Sequence, residues 1–175
     1  MKGPADVPLL KAQKSEVRSI VYAKNGDNYT GGWMNNLPHG IGTYIYKKAN
    51  AIYQGDWIHG KRSGYGTYDA KSTSTGEYIR VYAGNWRNGE KYGYGTYYYS
   101  KDAHYEGGWE CDQRSGYGKM IYANGDVYEG EWRNDKYCGR GVLLCGYIWG
   151  LSAALQNAVD KPLMAVTAAY SQKMR

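Results

Sequence analysis

Phenylalanine is absent from this chain of 175 residues, although tyrosine occurs 21 times and tryptophan six times. Nearly every large ring therefore carries a hydroxyl or an indole N–H that must reach water or a hydrogen-bond partner. A thick, dry core would use phenylalanine. The composition instead predicts a thin, essentially single-layer structure that gains its stability from the stacking of neighbouring units.

Cysteine and histidine are also scarce, with three residues of each. The cysteines show no paired C-x-x-C spacing, so unpaired thiols in a reducing compartment are favoured over a zinc site. Catalysis requires titratable groups that converge, and the histidines are spread along predicted loops and strand ends. We predict no catalytic residue, no metal and no cofactor. The residues are Cys111, Cys138, Cys145, His39, His59 and His104.

Long apolar runs are missing as well. The start of the chain has no apolar core of signal-peptide length. The longest run, 142–155, has 14 residues broken only by glycine and serine, and a membrane span needs about 20. A segment that covers the open sheet edge is favoured here over one that dips into a membrane. We predict a cytoplasmic protein.

The net charge of +6 does not indicate a nucleic-acid binder. Between Tyr22 and Cys145 there are 15 Lys and Arg against 13 Asp and Glu, so this part of the chain is close to neutral. Single-strand binders combine stacking rings with a basic groove. This chain has the aromatic rings but not the basic groove, so we predict no nucleic-acid partner.

A repeated pattern accounts for most of the chain. Tyr-x-Gly-x-Trp, then seven residues to the first glycine of Gly-x-Gly, occurs five times, with 23 to 29 residues between successive tyrosines. A period of this size is typical of units that stack on their neighbours. The repeat residues are Tyr29, Trp33, Gly40, Gly42, Tyr53, Gly64, Gly66, Tyr82, Gly93, Gly95, Tyr105, Gly116, Gly118, Tyr128, Trp132, Gly139 and Gly141.

Each half of the unit alternates with the period of a strand, and the loop between the halves is short, so one repeat predicts one β-hairpin. Both glycines of Gly-x-Gly are expected on the ring-bearing face, where a bare backbone leaves room for a ring. We expect each tryptophan to pack with the glycines of its own repeat.

The junctions between repeats also predict strand following strand. Asn25-Gly26 and Asn124-Gly125 are the preferred pair of a tight type I′ turn. The first implies that 17–22 is a strand, which brings the count to eleven. In the longer connection 69–80, the stretch Ser72-Thr-Ser-Thr-Gly76 is expected to be an extended turn or a mobile loop.

These observations predict an all-β, elongated, twisted, single-layer antiparallel sheet in three segments. Residues 1–16 are a flexible arm, 17–145 the repeat array, and 146–175 a divergent tail with helix-forming composition. An open sheet has two exposed edge strands, so self-association, for example as a homodimer, is expected.

The signature Tyr53-Gln-Gly-Asp-Trp57, followed by Gly60-Lys-Arg-Ser-Gly64-Tyr-Gly66, resembles the MORN (membrane occupation and recognition nexus) repeat. The resemblance implies a scaffold or adaptor without enzyme activity. Such proteins serve cytoskeletal, ciliary, flagellar (sperm axoneme) or membrane-associated assemblies.

Two kinds of binding surface are predicted. The first is the aromatic face of the sheet, which would hold a helix or peptide of a protein partner. Its residues are Tyr65, Tyr94, Tyr117, Trp57, Trp86 and Trp109. The alternative is a basic loop rim that binds anionic phospholipid. Its residues are Lys61, Arg62, Arg87 and Lys91.

Overall fold

The computed structural model describes residues 15–146, which form eleven β-strands and no α-helix. The prediction of an all-β chain of consecutive antiparallel hairpins, opened by one extra strand, is confirmed. Residues 1–14 of the predicted arm and 147–175 of the predicted tail lie outside the described residues. The strands are β1 (Ser15–Tyr22), β2 (Asn28–Met34), β3 (Leu37–Tyr46), β4 (Ala51–Ile58), β5 (Lys61–Lys71), β6 (Tyr78–Arg87), β7 (Glu90–Tyr98), β8 (His104–Glu110), β9 (Gln113–Ile121), β10 (Val127–Arg133) and β11 (Lys136–Leu144).

The described residues divide into two compact units, 15–91 and 92–146. In the first unit, β1 to β6 pair antiparallel in chain order. In the second unit, β7 to β11 pair in the same way.

The hairpin within each repeat is closed by two residues, and both have positive φ. Two such residues are the mark of a type I′ turn, whose twist matches that of the flanking strands. The short intra-repeat loop is confirmed, and the tight turns lie here. The pairs are Asn35-Asn36, His59-Gly60, Asn88-Gly89, Cys111-Asp112 and Asn134-Asp135.

The Asn-Gly junctions are not type I′ turns, so that prediction is wrong. In the first junction Gly26 has positive φ and Asn25 does not. The Gly26 N–H donates to Ala23 O at 3.0 Å, and the Ala23 N–H donates to Asp27 O at 2.8 Å. This is a type I turn followed by a left-handed glycine. The Asn25 side chain instead bonds Asp27, donating from Nδ2 to Oδ2 at 2.7 Å.

Within the connection 69–80, the extended turn lies where it is predicted, at 72–76. Strand β5 runs to Lys71 and β6 begins at Tyr78, with Asp69 paired to Arg80. Only residues 72–77 form a loop. Bonds from its backbone to the Ser72 side chain and carbonyl hold it, so the serine and threonine residues close the turn.

The two glycines of Gly-x-Gly have different roles. Between Gly55 and Trp57 the pairing of β4 with β5 shifts, so that residues 63–65 lie opposite Asp56 alone. Gly64 takes φ +63°, and a Cβ there would press on the Asp56 carboxylate. A Cβ on Gly66 would overlap the Tyr53 hydroxyl. The expectation that both glycines lie under rings is therefore correct for Gly66 and wrong for Gly64.

The same arrangement recurs along the chain. The pairing shifts in the β2–β3, β8–β9 and β10–β11 hairpins as well. The second glycine of these repeats is again covered by the tyrosine of its own hairpin. The pairs are Gly42 with Tyr29, Gly118 with Tyr105, and Gly141 with Tyr128.

The buried side chains lie on one face, which we call the ladder face: the face bearing the Tyr and Trp of the Tyr-x-Gly-x-Trp strands. Most of the core consists of these rings, joined by Ala51, Ala103 and Met120. Apolar burial here is a row of rings rather than a central core, as the absence of phenylalanine predicts.

Candidate partner-binding surfaces

The ladder face is a continuous series of edge-to-face ring contacts within each unit. Tyr53 meets Trp57 of its own repeat at a centroid distance of 5.1 Å and Trp86 of the next repeat at 5.4 Å, with interplanar angles of 87° and 89°. In the second unit Tyr105 lies in the same way between Trp109 and Trp132. Such pairs favour this geometry because the edge of one ring is positive and the face of the other negative.

Each of these tryptophans also bonds to the repeat before it. The Trp57 Nε1–H donates to Gly42 O at 3.3 Å, and the Trp86 Nε1–H donates to Gly66 O at 3.1 Å. In the second unit Trp109 donates to Gly95 O and Trp132 to Gly118 O, at 3.0 and 3.2 Å. The expectation that each tryptophan packs with the glycines of its own repeat is therefore corrected: the indole reaches back one repeat.

Two arginines cover this row of rings. The Arg62 guanidinium carbon lies 4.1 Å from the Trp86 ring centroid, and its Nη2 donates to Gly89 O at 2.6 Å. Arg114 lies 4.2 Å from the Trp132 ring centroid, and its Nε is paired with Asp135 Oδ1 at 2.9 Å. Stacked cations of this kind stabilise a ring face by cation–π attraction. Sequence reasoning missed this role, although both arginines hold the same place in their repeats, two residues before the first glycine of Gly-x-Gly.

The ladder tyrosines are held by their hydroxyls. Tyr29 Oη–H donates to Gly32 O at 3.0 Å, and Tyr53 Oη–H donates to Asp56 O at 3.0 Å. Burial raises the pKa of Tyr29 to about 12. Burial raises the pKa of Tyr53 and of Tyr105 further still. These groups stay protonated over a wide pH range and serve as hydrogen-bond donors.

The structure divides the six predicted partner-binding residues into two sets. Trp57, Trp86 and Trp109 are 4%, 6% and 6% exposed, so they are buried in the ladder and hold the sheet together. Tyr65, Tyr94 and Tyr117 are 59%, 57% and 62% exposed. We call the side of the second unit that bears Tyr94 and Tyr117 the tyrosine face, because strand alternation places it opposite the ladder face of that unit. Tyr65 lies on the corresponding side of the first unit.

Glutamates orient the exposed rings of the second unit. Tyr94 Oη–H donates to Glu106 Oε1 at 3.0 Å, and Tyr117 Oη–H donates to Glu129 Oε1 at 3.1 Å. These bonds raise the pKa of both tyrosines, because an ionised phenol could not donate to the carboxylate. The two rings therefore stand on one face of the unit with fixed hydroxyls and solvent-facing edges.

The four residues of the predicted basic rim do not form a uniform surface. Lys61 and Arg87 are exposed, whereas Arg62 and Lys91 are half-buried. Arg62 is engaged with Trp86, and Lys91 Nζ lies 6.0 Å from the Tyr82 ring centroid. Two of the four side chains predicted to bind lipid, Arg62 and Lys91, therefore lie against rings of the ladder.

In the range 15–146, no group of three or more His, Cys, Asp or Glu residues could hold a metal ion. No helix in it is long and apolar enough to cross a membrane. A cleft of about 430 Å³ opens at the end of the second unit. Its lining residues are Arg114, Tyr122, Trp132, Asp135, Lys136 and Tyr137.

Repeated hairpins with one tyrosine, one tryptophan and paired glycines define a class of repeat protein, and this chain belongs to the MORN repeat family. The MORN repeat is matched by residues 29–49, 53–74, 82–103, 105–127 and 128–146, which together make up more than half of the chain. The match covers all five repeats that the sequence pattern predicts.

Two relatives share one description. The chain is 56% identical over 71 residues to MORN repeat-containing protein 3 of Xenopus laevis, which covers 41% of this chain and 30% of the frog protein. It is 58% identical over 33 residues to MORN repeat-containing protein 3 of Mus musculus, which covers 19% of this chain and 14% of the mouse protein. The chain thus matches less than a third of either relative.

Proposed function

We propose that this chain is a non-enzymatic adaptor that holds a protein partner on its tyrosine face. The partner is a helix or an extended peptide of a cytoskeletal, ciliary or flagellar assembly, such as the sperm axoneme. The cytoskeletal or ciliary setting rests on the family resemblance, and the cytoplasmic location on the sequence composition. The choice of surface rests on the geometry of Tyr94 and Tyr117.

One observation carries the proposal. Tyr94 and Tyr117 take no part in the ladder and are more than half exposed, yet each hydroxyl is bonded to a glutamate. A ring whose orientation is already set loses little conformational freedom on binding. Aromatic residues are enriched at the energetic centres of interfaces for this reason and for their large contact area.

The experiment is capture of partners from a ciliated-cell extract by the immobilised full chain, with retained proteins quantified by mass spectrometry. Three proteins are compared: the unmodified chain, the Tyr94→Ala/Tyr117→Ala variant and the matched Tyr94→Phe/Tyr117→Phe variant. Far-ultraviolet circular dichroism checks that all three are folded. We expect a cytoskeletal or axonemal protein that the unmodified chain and the Phe variant retain and the Ala variant loses.

Equal retention by the Ala variant would contradict the proposal, because the exposed rings would then contribute nothing. The same proteins are sedimented with vesicles of anionic phospholipid at low and physiological salt. Binding to vesicles that survives physiological salt and disappears on Lys61→Ala/Arg87→Ala would favour the membrane function instead. Lys61 and Arg87 are chosen for this variant because Arg62 and Lys91 also contact the ladder.

A further inference from the structure

Trp57 in the first unit and Trp132 in the second are received by sites of the same construction, which we call the indole socket. It consists of the buried tyrosine, the carbonyl of the second Gly-x-Gly glycine and the residue paired with that tyrosine across the hairpin. Trp57 lies 5.4 Å from the Tyr29 centroid and 5.7 Å from the Tyr44 centroid. It donates to Gly42 O at 3.3 Å.

The socket recurs in the second unit. Trp132 lies 5.2 Å from the Tyr105 centroid and donates to Gly118 O at 3.2 Å. Met120 pairs with Tyr105 across the hairpin and is buried. Arg114 closes the site by stacking on the indole. An indole from the following repeat is therefore the ligand that this construction accepts.

The last described repeat builds the same socket from Tyr128, Gly141 and Leu143, with Tyr137 in the place of Arg114. No indole among residues 15–146 enters it. Leu143 is 45% exposed, against 6% for Met120. Gly141 is exposed, whereas Gly42 and Gly118 are buried. The terminal socket therefore retains the apolar and polar parts of the interior ones. It is open to solvent at Gly141 and Leu143, while the buried Tyr128 ring lies 4.2 Å from the Tyr137 ring centroid.

The sequence that follows does not supply the missing indole at the required spacing. In the filled sockets the incoming tryptophan lies 27 to 33 residues after the receiving tyrosine, as in Tyr105 to Trp132 and Tyr53 to Trp86. The corresponding stretch after Tyr128 is 155–161, and it contains no aromatic residue. A sixth Tyr-x-Gly-x-Trp strand is absent between Gly146 and Arg175.

We propose that the terminal socket, with the outer edge of β11, binds an extended segment of another protein that carries the Tyr-x-Gly-x-Trp pattern. The segment adds as a strand beside β11, and its indole enters between Tyr128, Tyr137 and Leu143. The indole N–H donates to Gly141 O. This occupant is chosen because two interior sockets described above hold that same ligand.

The edge of β11 favours this mode of binding. The described residues pair with β11 only on its β10 side. An unpaired strand edge offers a row of backbone donors and acceptors, and peptides that add to it gain affinity from the main chain and specificity from side-chain sites. The indole socket supplies the side-chain site.

The probe is a fluorescein-labelled peptide with the sequence of this chain's own β4, Ala-Ile-Tyr-Gln-Gly-Asp-Trp-Ile, titrated with the full chain and followed by fluorescence anisotropy. We expect saturable binding. Replacing the peptide tryptophan by alanine should weaken binding about tenfold or more, as loss of a buried aromatic anchor does.

Two neighbouring residues of β11 provide a matched pair of protein variants. Leu143 pairs with Tyr128 and lies on the ladder face, whereas Val142 pairs with Glu129 on the opposite face. Both are exposed. We expect Leu143→Glu to weaken binding by about as much as loss of the peptide tryptophan. Val142→Glu should leave it unchanged.

Four results would overturn the inference. The first is equal binding of the tryptophan and alanine peptides, and the second is equal loss on Leu143→Glu and Val142→Glu, since either would mean that the edge binds without the socket. The third is binding that appears only after Trp149→Ala, which would assign the socket to the chain's own indole. Absence of binding to both the unmodified chain and the Trp149→Ala variant would likewise overturn it.

Discussion

The two faces of the sheet use the same amino acid for opposite purposes. On the ladder face Tyr105 is fully buried between two indoles, while Tyr117, twelve residues later on the other face of the same unit, is 62% exposed. Both hydroxyls are bonded, one to a backbone carbonyl and one to a carboxylate. What separates a structural ring from a ring proposed to bind a partner is therefore burial and not hydrogen bonding.

The largest expected effect tests this comparison directly. Tyr105→Ala should lower the free energy of unfolding by about 3–5 kcal/mol, because it removes a fully buried ring and leaves a cavity. Tyr117→Ala should change it by less than about 0.5 kcal/mol, as for other exposed positions. Urea unfolding followed by tryptophan fluorescence measures both. A similar loss in the two variants would mean that the tyrosine face also carries the fold.

The next effect compares two glycines of one Gly-x-Gly. Gly118→Asn places a side chain against the Tyr105 hydroxyl and should cost about 3 kcal/mol. Gly116 has φ +74° and open space beside it, and asparagine adopts the left-handed region, so Gly116→Asn should cost about 0.5 kcal/mol. Thermal unfolding of the two variants distinguishes them. The roles assigned to the glycines would be incorrect if the order were reversed.

A smaller effect separates ladder cations from rim cations. Arg62→Ala should cost about 1–2 kcal/mol, since it removes the stack on Trp86 and the bond to Gly89 O. Lys61→Ala, one residue earlier and exposed, should stay within about 0.5 kcal/mol. Urea midpoints of the two variants provide the measurement. Equal midpoints would show that the stacking of Arg62 on Trp86 does not stabilise the ladder.

The last prediction concerns the loss of stability that ionisation of Tyr29 causes, which occurs only at alkaline pH. The folded pKa of Tyr29 is about 12, above the pKa of about 10 in an unfolded chain. A raised pKa favours the folded state while the hydroxyl is protonated, so this stabilisation is complete below pH 10 and is lost as the pH rises towards 12. Urea midpoints at pH 9, 10 and 11 should therefore fall more steeply for the unmodified chain than for Tyr29→Phe. Parallel decreases would mean that Tyr29 is not protected from ionisation.

Much of the architecture could be predicted because the pattern is local. The alternation in Tyr53, Gly55 and Trp57 places all three on one face of a strand, and the short loop after Trp57 closes the hairpin. The prediction of type I′ turns at the Asn-Gly junctions is wrong, because Asn-Gly favours that turn without requiring it. Asn25 uses its side chain to bond Asp27, while His59 and Cys111 adopt the positive φ that the tight hairpins require.

The candidate site was predictable only in part. Exposure of Tyr65, Tyr94 and Tyr117 could be expected from their place between two glycines. Their glutamate partners could not, since Glu106 and Glu129 each lie twelve residues from the tyrosine that they accept from. Stacking of Arg62 on Trp86 was likewise hidden, because a basic residue beside a loop looks the same in sequence whether it faces solvent or a ring.

The sequence by itself determined the repeat unit, its hairpin, its antiparallel order and the use of hydroxyl-bearing and N–H-bearing rings in place of a dry core. These properties depend on spacings within one repeat and on composition. Only the tertiary structure decided which repeat each indole contacts, because Trp57 and Trp86 bond to glycines 15 and 20 residues earlier, across a junction of variable length. Backbone pairing between repeats brings those groups together, and for that reason the open socket at β11 appears only in three dimensions.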